Sequence, residues 1–130
     1  MEPKNIIRRS TRVPLNINVI VNYSNKEIKA VTHDISIDGM FIKSNEKLDK
    51  NSLVHCYLFI PDREEPISTL AKILYDGFFT YTGKESFYGV GLHFIEMTEE
   101  GRDYLRKYLE KEFYHCKKYR VPRKISSDNI

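Results

Sequence analysis

Two short runs hold the residues best suited to chemistry: Arg8-x-x-x-Arg12, and Asp34-Ile35-Ser36-Ile37-Asp38-Gly39. Arginine presents a planar fork of donors that matches the O6 and N7 acceptors of guanine, and the same plane stacks on a base. Aspartate adds an acceptor, and serine a donor, for other base edges. Gly39 allows a tight turn beside a ligand. Arg9 places another positive charge next to the first run. These residue types suit a guanine-nucleotide receptor better than an enzyme.

Each run alone has a plainer reading. Arg102-x-x-x-Arg106 repeats the arginine spacing on a predicted helix, where it reads as a solvated face. Asp, Ser and Gly are all turn formers. Context separates the two arginine runs. Arg8 and Arg12 precede the first strand-like segment, where no core can use them. A single hairpin then carries the chain out and back, so Asp34 returns beside Arg12. The arm can fold over the surface from which Asp34 and Ser36 project.

The elements that must position these residues are mostly strands. Leu15, Ile17, Val19, Val21 and Tyr23 alternate with Asn16, Asn18, Ile20 and Asn22, a period of two. Ser24-Asn25-Lys26 is a turn, and Glu27–His33 can return antiparallel. Met40-Phe41-Ile42 resumes the strand pattern after the Asp34–Gly39 break. Ser52–Ile60, Pro66–Tyr75 and Phe87–Glu96 follow, with Asp76–Ser86 read as a loop. Six short strands point to a small antiparallel barrel or sandwich. Thr98 is a good N-cap, with Glu99 and Glu100 at the positive end of the dipole. Leu105, Tyr108, Leu109 and Phe113 then share one face of a helix of about four turns.

The division expected is a flexible arm over 1–14, a barrel with its helix over 15–116, and a basic then polar tail over 117–130. With 130 residues, the chain suits one domain. The net charge of +3 fits an anionic partner without requiring one. Cys56 sits in an apolar run and reads as a core residue, and two distant cysteines do not suggest a disulfide framework. The first residues lack the apolar core of a signal peptide, and no apolar run is long enough to span a bilayer. The chain reads as cytoplasmic.

The motifs together resemble the PilZ domain, a bacterial receptor for the second messenger cyclic di-GMP. Arg8-x-x-x-Arg12-Val13-Pro14, Asp34-x-Ser36-x-x-Gly39-Met40-Phe41-Ile42 and Tyr88-Gly89-Val90-Gly91-Leu92-x-Phe94 carry the likeness, from about Ile7 to about Leu109. It implies a stand-alone, mainly β protein: a six-stranded antiparallel barrel of split-barrel type with a C-terminal α-helix. It implies a ligand site at Arg8, Arg12, Asp34, Ser36 and Gly39, and Arg9 beside the motif is read as a secondary phosphate contact. The arginines would grip the dinucleotide from the arm, neutralise phosphate and stack on guanine. Asp34 would accept from guanine N1 or N2, and Ser36 would bond guanine or phosphate. Ile7, an uncharged residue before the first motif, favours one ligand per protein.

The output would be a conformational change in the arm, signalled to a protein effector in motility, biofilm or virulence control. The alternatives are a basic barrel that binds single-stranded nucleic acid through exposed aromatics, and a PilZ-fold adaptor without a ligand. Enzyme chemistry is not expected. His33, His55, His93 and His115 are scattered, and Gly89-Val90-Gly91 lacks the lysine of a phosphate loop. No metal or cofactor is expected.

Overall fold

A computed structural model describes residues 11–81 and 85–127, with the side chains of 79–81, 85 and 115–127 left aside. Its strands are β1 (Asn18–Tyr23), β2 (Lys26–Ile35), β3 (Gly39–Ser44), β4 (Leu53–Phe59), β5 (Ile67–Tyr81) and β6 (Glu85–Met97). One helix follows, α1 (Glu99–Ser127). The strands close into an antiparallel barrel in the order β1-β2-β3-β6-β5-β4. Closure gives every strand a neighbour on both sides over part of its length, and β5 past Ile73 pairs with β6 alone.

Alternation builds the core. Val19 and Val21, Ile28 and Ala30, Met40 and Ile42, Cys56 and Leu58, and Val90 and Leu92 all point inward and are buried. Leu105 and Leu109 of α1 join the same cluster, so the helix packs its apolar stripe on the barrel. Ser24 and Asn25 take φ of 52° and 65° between paired Tyr23 and Lys26. Two positive values in a two-residue loop make a turn whose twist matches the strands it joins.

Four differences from the sequence reading have physical causes. The alternation from Leu15 persists in burial, but the ladder starts only at Asn18. Ile17 donates its N–H to the Thr32 hydroxyl at 2.7 Å, so a side chain takes the place of the strand partner. Pro14 was expected to close a flexible arm. Val13 is instead buried and exchanges two backbone bonds with Ile35, at 2.8 and 3.0 Å.

The segment read as a loop, Asp76–Ser86, instead continues β5 to Tyr81 and resumes at Glu85. Asp76, Gly77, Phe78 and Phe79 find cross-strand partners in Val90, Gly89, Tyr88 and Phe87, which outweighs the poor strand propensity of Asp76 and Gly77. The helix runs 29 residues to Ser127, well past the tail boundary expected at 117. Leu105 and Leu109 are buried while Phe113, expected on the same face, is exposed, and no glycine or proline interrupts 102–121.

Candidate ligand site

The site is built on the β2–β3 connection. A register shift between Thr32 and Asp34 inserts His33 as an extra residue in β2. A bulge of this kind re-aims side chains. Thr32 and Ile35 stay buried, while both residues between them, His33 and Asp34, are partly exposed. Strict alternation would have sent one of the two inward.

Thr32 fixes the other half of the site. Its buried hydroxyl donates to Leu15 O at 2.6 Å while accepting from Ile17 N. Asn16 Nδ2 donates to Thr32 O at 2.9 Å. With the Val13–Ile35 bridge, these bonds lash residues 13–17 along β2. Arg12, one residue earlier, donates from Nη1 to Asp34 Oδ1 at 2.8 Å. The side chains of Arg12 and Asp34 are 43% and 23% exposed, so the pair is open to solvent. His33 Nδ1 lies 3.4 Å from the second carboxylate oxygen, Asp34 Oδ2.

Ser36 has a different position from the one expected. It is only 2% exposed. Its hydroxyl accepts from the N–H groups of Asp38 and Gly39 at 3.1 and 3.2 Å, and its own N–H donates to Gly39 O at 2.8 Å. These bonds hold the turn that follows Asp34. Gly39 is required by close approach to β6 and not by its backbone angle. A Cβ there would lie 2.3 Å from Leu92 O. Phe94 N donates to Asp38 O at 2.8 Å and seals the same junction.

Of the six residues named from the sequence, Arg12, Asp34, Ser36 and Gly39 are brought together. Arg8 and Arg9 lie outside the described residues. The sequence reading did not single out Phe41, Lys43 or Phe87 for the site. Phe41 pairs with Asp34 across the strands, and Phe87 lies within 6.0 Å of the His33 ring between centroids. Alternation in Met40-Phe41-Ile42-Lys43 already marks Phe41 and Lys43 as facing outward beside Asp34. Phe87 could not be placed, because its approach depends on β6 pairing with β3.

Other polar groups serve the frame. Arg63 binds both carboxylate oxygens of Glu100, at 2.7 and 3.0 Å, and stacks on Tyr104. This ties the β4–β5 connection to the first turn of α1. Tyr88 donates to Asp76, and desolvation together with that bond pushes its phenol up to about 12. No group of three or more potential metal ligands occurs among the described residues. No described helix is long and apolar enough to cross a membrane.

A closed six-stranded antiparallel barrel with one C-terminal helix, an arm lashed to β2 and an Asp-x-Ser-x-x-Gly turn define a class. The chain belongs to the PilZ domain family, whose model matches residues 6–111. No curated protein matches it. Among solved structures it is similar to the motility inhibitor MotI/DgrA of Bacillus subtilis, with TM-score 0.70 and 17% identity over 83% of this chain and 52% of that one. The chain thus spans about half of the Bacillus protein. It is also similar to the PilZ domain of Escherichia coli YcgR, solved with c-di-GMP: TM-score 0.70, 11% identity, 86% of this chain and 95% of that one. Borreliella burgdorferi PlzA, also in complex with c-di-GMP, gives TM-score 0.58 and 14% identity over 86% and 57%.

Proposed function

We propose that this protein is a cyclic di-GMP receptor that binds the dinucleotide at Arg12 and the Asp34–Gly39 turn. The observation that carries the reading is the paired presentation of Arg12 and Asp34 on the barrel's outer face, 2.8 Å apart and open to solvent. A guanidinium donor and a carboxylate acceptor side by side match the Hoogsteen and Watson–Crick edges of guanine. The structures of two PilZ neighbours with the same dinucleotide support the reading.

In this reading Arg12 takes guanine O6 and N7 or stacks on the base, and Asp34 accepts from N1 and N2. Ser36 acts by holding the turn, and Gly39 by letting β3 meet β6. Arg8 and Arg9 supply further donors for guanine and phosphate. Binding draws the part of the arm ahead of Arg12 onto the ligand, and the closed form presents a surface to a protein effector. The ligand can favour that form only by binding it more tightly than the open one. The role is binding without turnover, with no metal or cofactor, in the cytoplasm.

Isothermal titration calorimetry with cyclic di-GMP tests this, with GTP as a competitor. Saturable binding that Arg12→Ala removes is the expected result, and its stoichiometry is expected to be one. A folded protein that takes up no cyclic di-GMP would refute the reading.

A further inference from the structure

The outer face beside Arg12 holds a continuous patch of aromatic rings. His33 on β2, Phe41 on β3, Phe87 on β6 and Tyr75 on β5 stand on four neighbouring strands. Ring centroids are 5.9 Å apart for His33 and Phe41, 6.0 Å for His33 and Phe87, 6.1 Å for Phe41 and Phe87, and 6.0 Å for Phe41 and Tyr75. At ~4.8 Å per strand the patch crosses roughly 14 Å of barrel surface.

Three local devices assemble it. The β2 bulge brings His33 out beside Asp34. Alternation in β3 sends Met40 and Ile42 inward, which leaves Phe41 and Lys43 outside. Gly91 on β6 leaves a gap that the Tyr75 ring fills, since a Cβ at Gly91 would lie 2.3 Å from Tyr75 Cζ. Backed by that glycine, Tyr75 is still 43% exposed. Lys43 Nζ lies 4.9 Å from the Phe87 centroid and puts a cation at the edge of the patch.

We propose that this patch is a base-stacking subsite, which takes the second purine of the dinucleotide whose first guanine is held by Arg12 and Asp34. The inference rests on the cyclic di-GMP reading above. Continuity carries it. His33 adjoins Asp34 in the chain, and Phe41 is the cross-strand partner of Asp34, so a base on these rings lies next to the carboxylate. The patch offers ring faces and one cation. A ring face holds any nucleobase by stacking, and a lysine beside it suits the linking phosphate. Asp34 and Arg12 read guanine, and the rings contribute affinity.

The test compares wild type with Phe41→Leu, Tyr75→Leu and Arg12→Ala, using cyclic di-GMP as the probe. Leucine keeps apolar bulk on the barrel, and circular dichroism checks that each variant is folded. Calorimetry should show dissociation constants raised about tenfold in each leucine variant, the scale of one lost base–aromatic contact. Proton NMR of the bound ligand should show one of the two guanine H8 signals moved upfield by ring current in wild type, and less so in Phe41→Leu. Wild-type affinity in both leucine variants, with binding lost in Arg12→Ala, would overturn the subsite and leave the receptor reading standing. No binding by folded wild type would overturn both.

Discussion

Arg12 and Asp34, 22 residues apart in the chain, meet through an Nη1–Oδ1 contact of 2.8 Å. In the proposed receptor reading, each is the other's partner until a ligand takes both. In that reading a guanine would offer donors to the carboxylate and acceptors to the guanidinium, and so would exchange the ion pair for two pairings of its own. Because Val13 and Ile17 are already bonded to β2, Arg12 would start near the position proposed for it in the complex. Less ordering is then left for binding to bear.

Removing either partner should therefore separate affinity from stability. Arg12→Ala and Asp34→Ala should each weaken cyclic di-GMP binding at least about tenfold, in line with ~1–3 kcal/mol for a good bidentate base contact. Their melting temperatures should stay near wild type, because solvent-open pairs contribute only ~0–1 kcal/mol. Calorimetry and thermal melts on the same samples check both halves. Unchanged affinity in either variant would remove that residue from the site.

Ser36 and Gly39 should behave in the opposite way, with stability falling first. Ser36→Ala leaves the N–H groups of Asp38 and Gly39 without their hydroxyl acceptor, a loss of ~1–3 kcal/mol for a buried unsatisfied group. Gly39→Ala drives a methyl into the Leu92 carbonyl, and overpacking of this kind costs ~1–3 kcal/mol or more. Urea denaturation measures both. A Ser36→Ala protein as stable as wild type would show that the hydroxyl does not hold the turn.

Thr32→Val tests whether the lashing of the arm matters for binding. The substitution keeps the shape but removes the hydroxyl that joins Leu15 O to Ile17 N. Stability should fall by ~1–3 kcal/mol, because the buried Ile17 N–H loses its acceptor and the partly buried Leu15 carbonyl loses a donor. Cyclic di-GMP affinity should fall as well, although Thr32 is fully buried and out of reach of a ligand. Lost stability with intact affinity would mean that Arg12 does not depend on this anchor.

The Arg63–Glu100 pair predicts a pH dependence with a definite sign. The Arg63 hydrogen bond holds the Glu100 carboxyl below its ordinary value of 4.5. The unfolded chain then binds more protons at this group, so stability rises with pH through the window. The pair's contribution is full above about 4.5 and disappears as the pH falls through the lowered folded value. Wild type should exceed Glu100→Gln in melting temperature at pH 7, and the two should converge toward pH 3. A gap that is constant with pH would contradict the linkage.

Cys56 should resist thiol reagents while the barrel is closed. Burial pushes its thiol up to about 12, and the thiolate is the reactive form. Mass spectrometry after labelling at pH 8 should find Cys56 unmodified in the folded protein and modified in denaturant. Rapid labelling under native conditions would show that the β4 wall opens.

Much of this molecule was legible in the chain. Strand alternation marked all six strands, although β5 and β6 extend further than read, since Asp76 and Gly77 look like strand breakers until β6 supplies partners. Thr98 was correctly placed as the cap, and its hydroxyl accepts the Gly101 N–H at 3.0 Å. Helix length was missed because periodicity reports only the buried stripe. The return of Asp34 to Arg12 was legible as well, because one hairpin of known strands fixes it. The inward position of the Ser36 hydroxyl was not, since serine types serve a turn and a ligand equally well.

The sequence by itself determined what depends on neighbours along the chain: which residues alternate, where turns and the helix cap fall, and that arginines precede an Asp-x-Ser-x-x-Gly turn. Only the tertiary structure decided what depends on register between distant strands. The bulge that turns His33 and Asp34 to one side exists because β2 slips by one residue against β3. The aromatic patch exists because Phe41 pairs with Gly91, and Gly91 in turn makes room for Tyr75. Side chains reverse faces with each single-residue slip, so a surface that spans four strands is set by closure of the barrel and cannot be read along the chain.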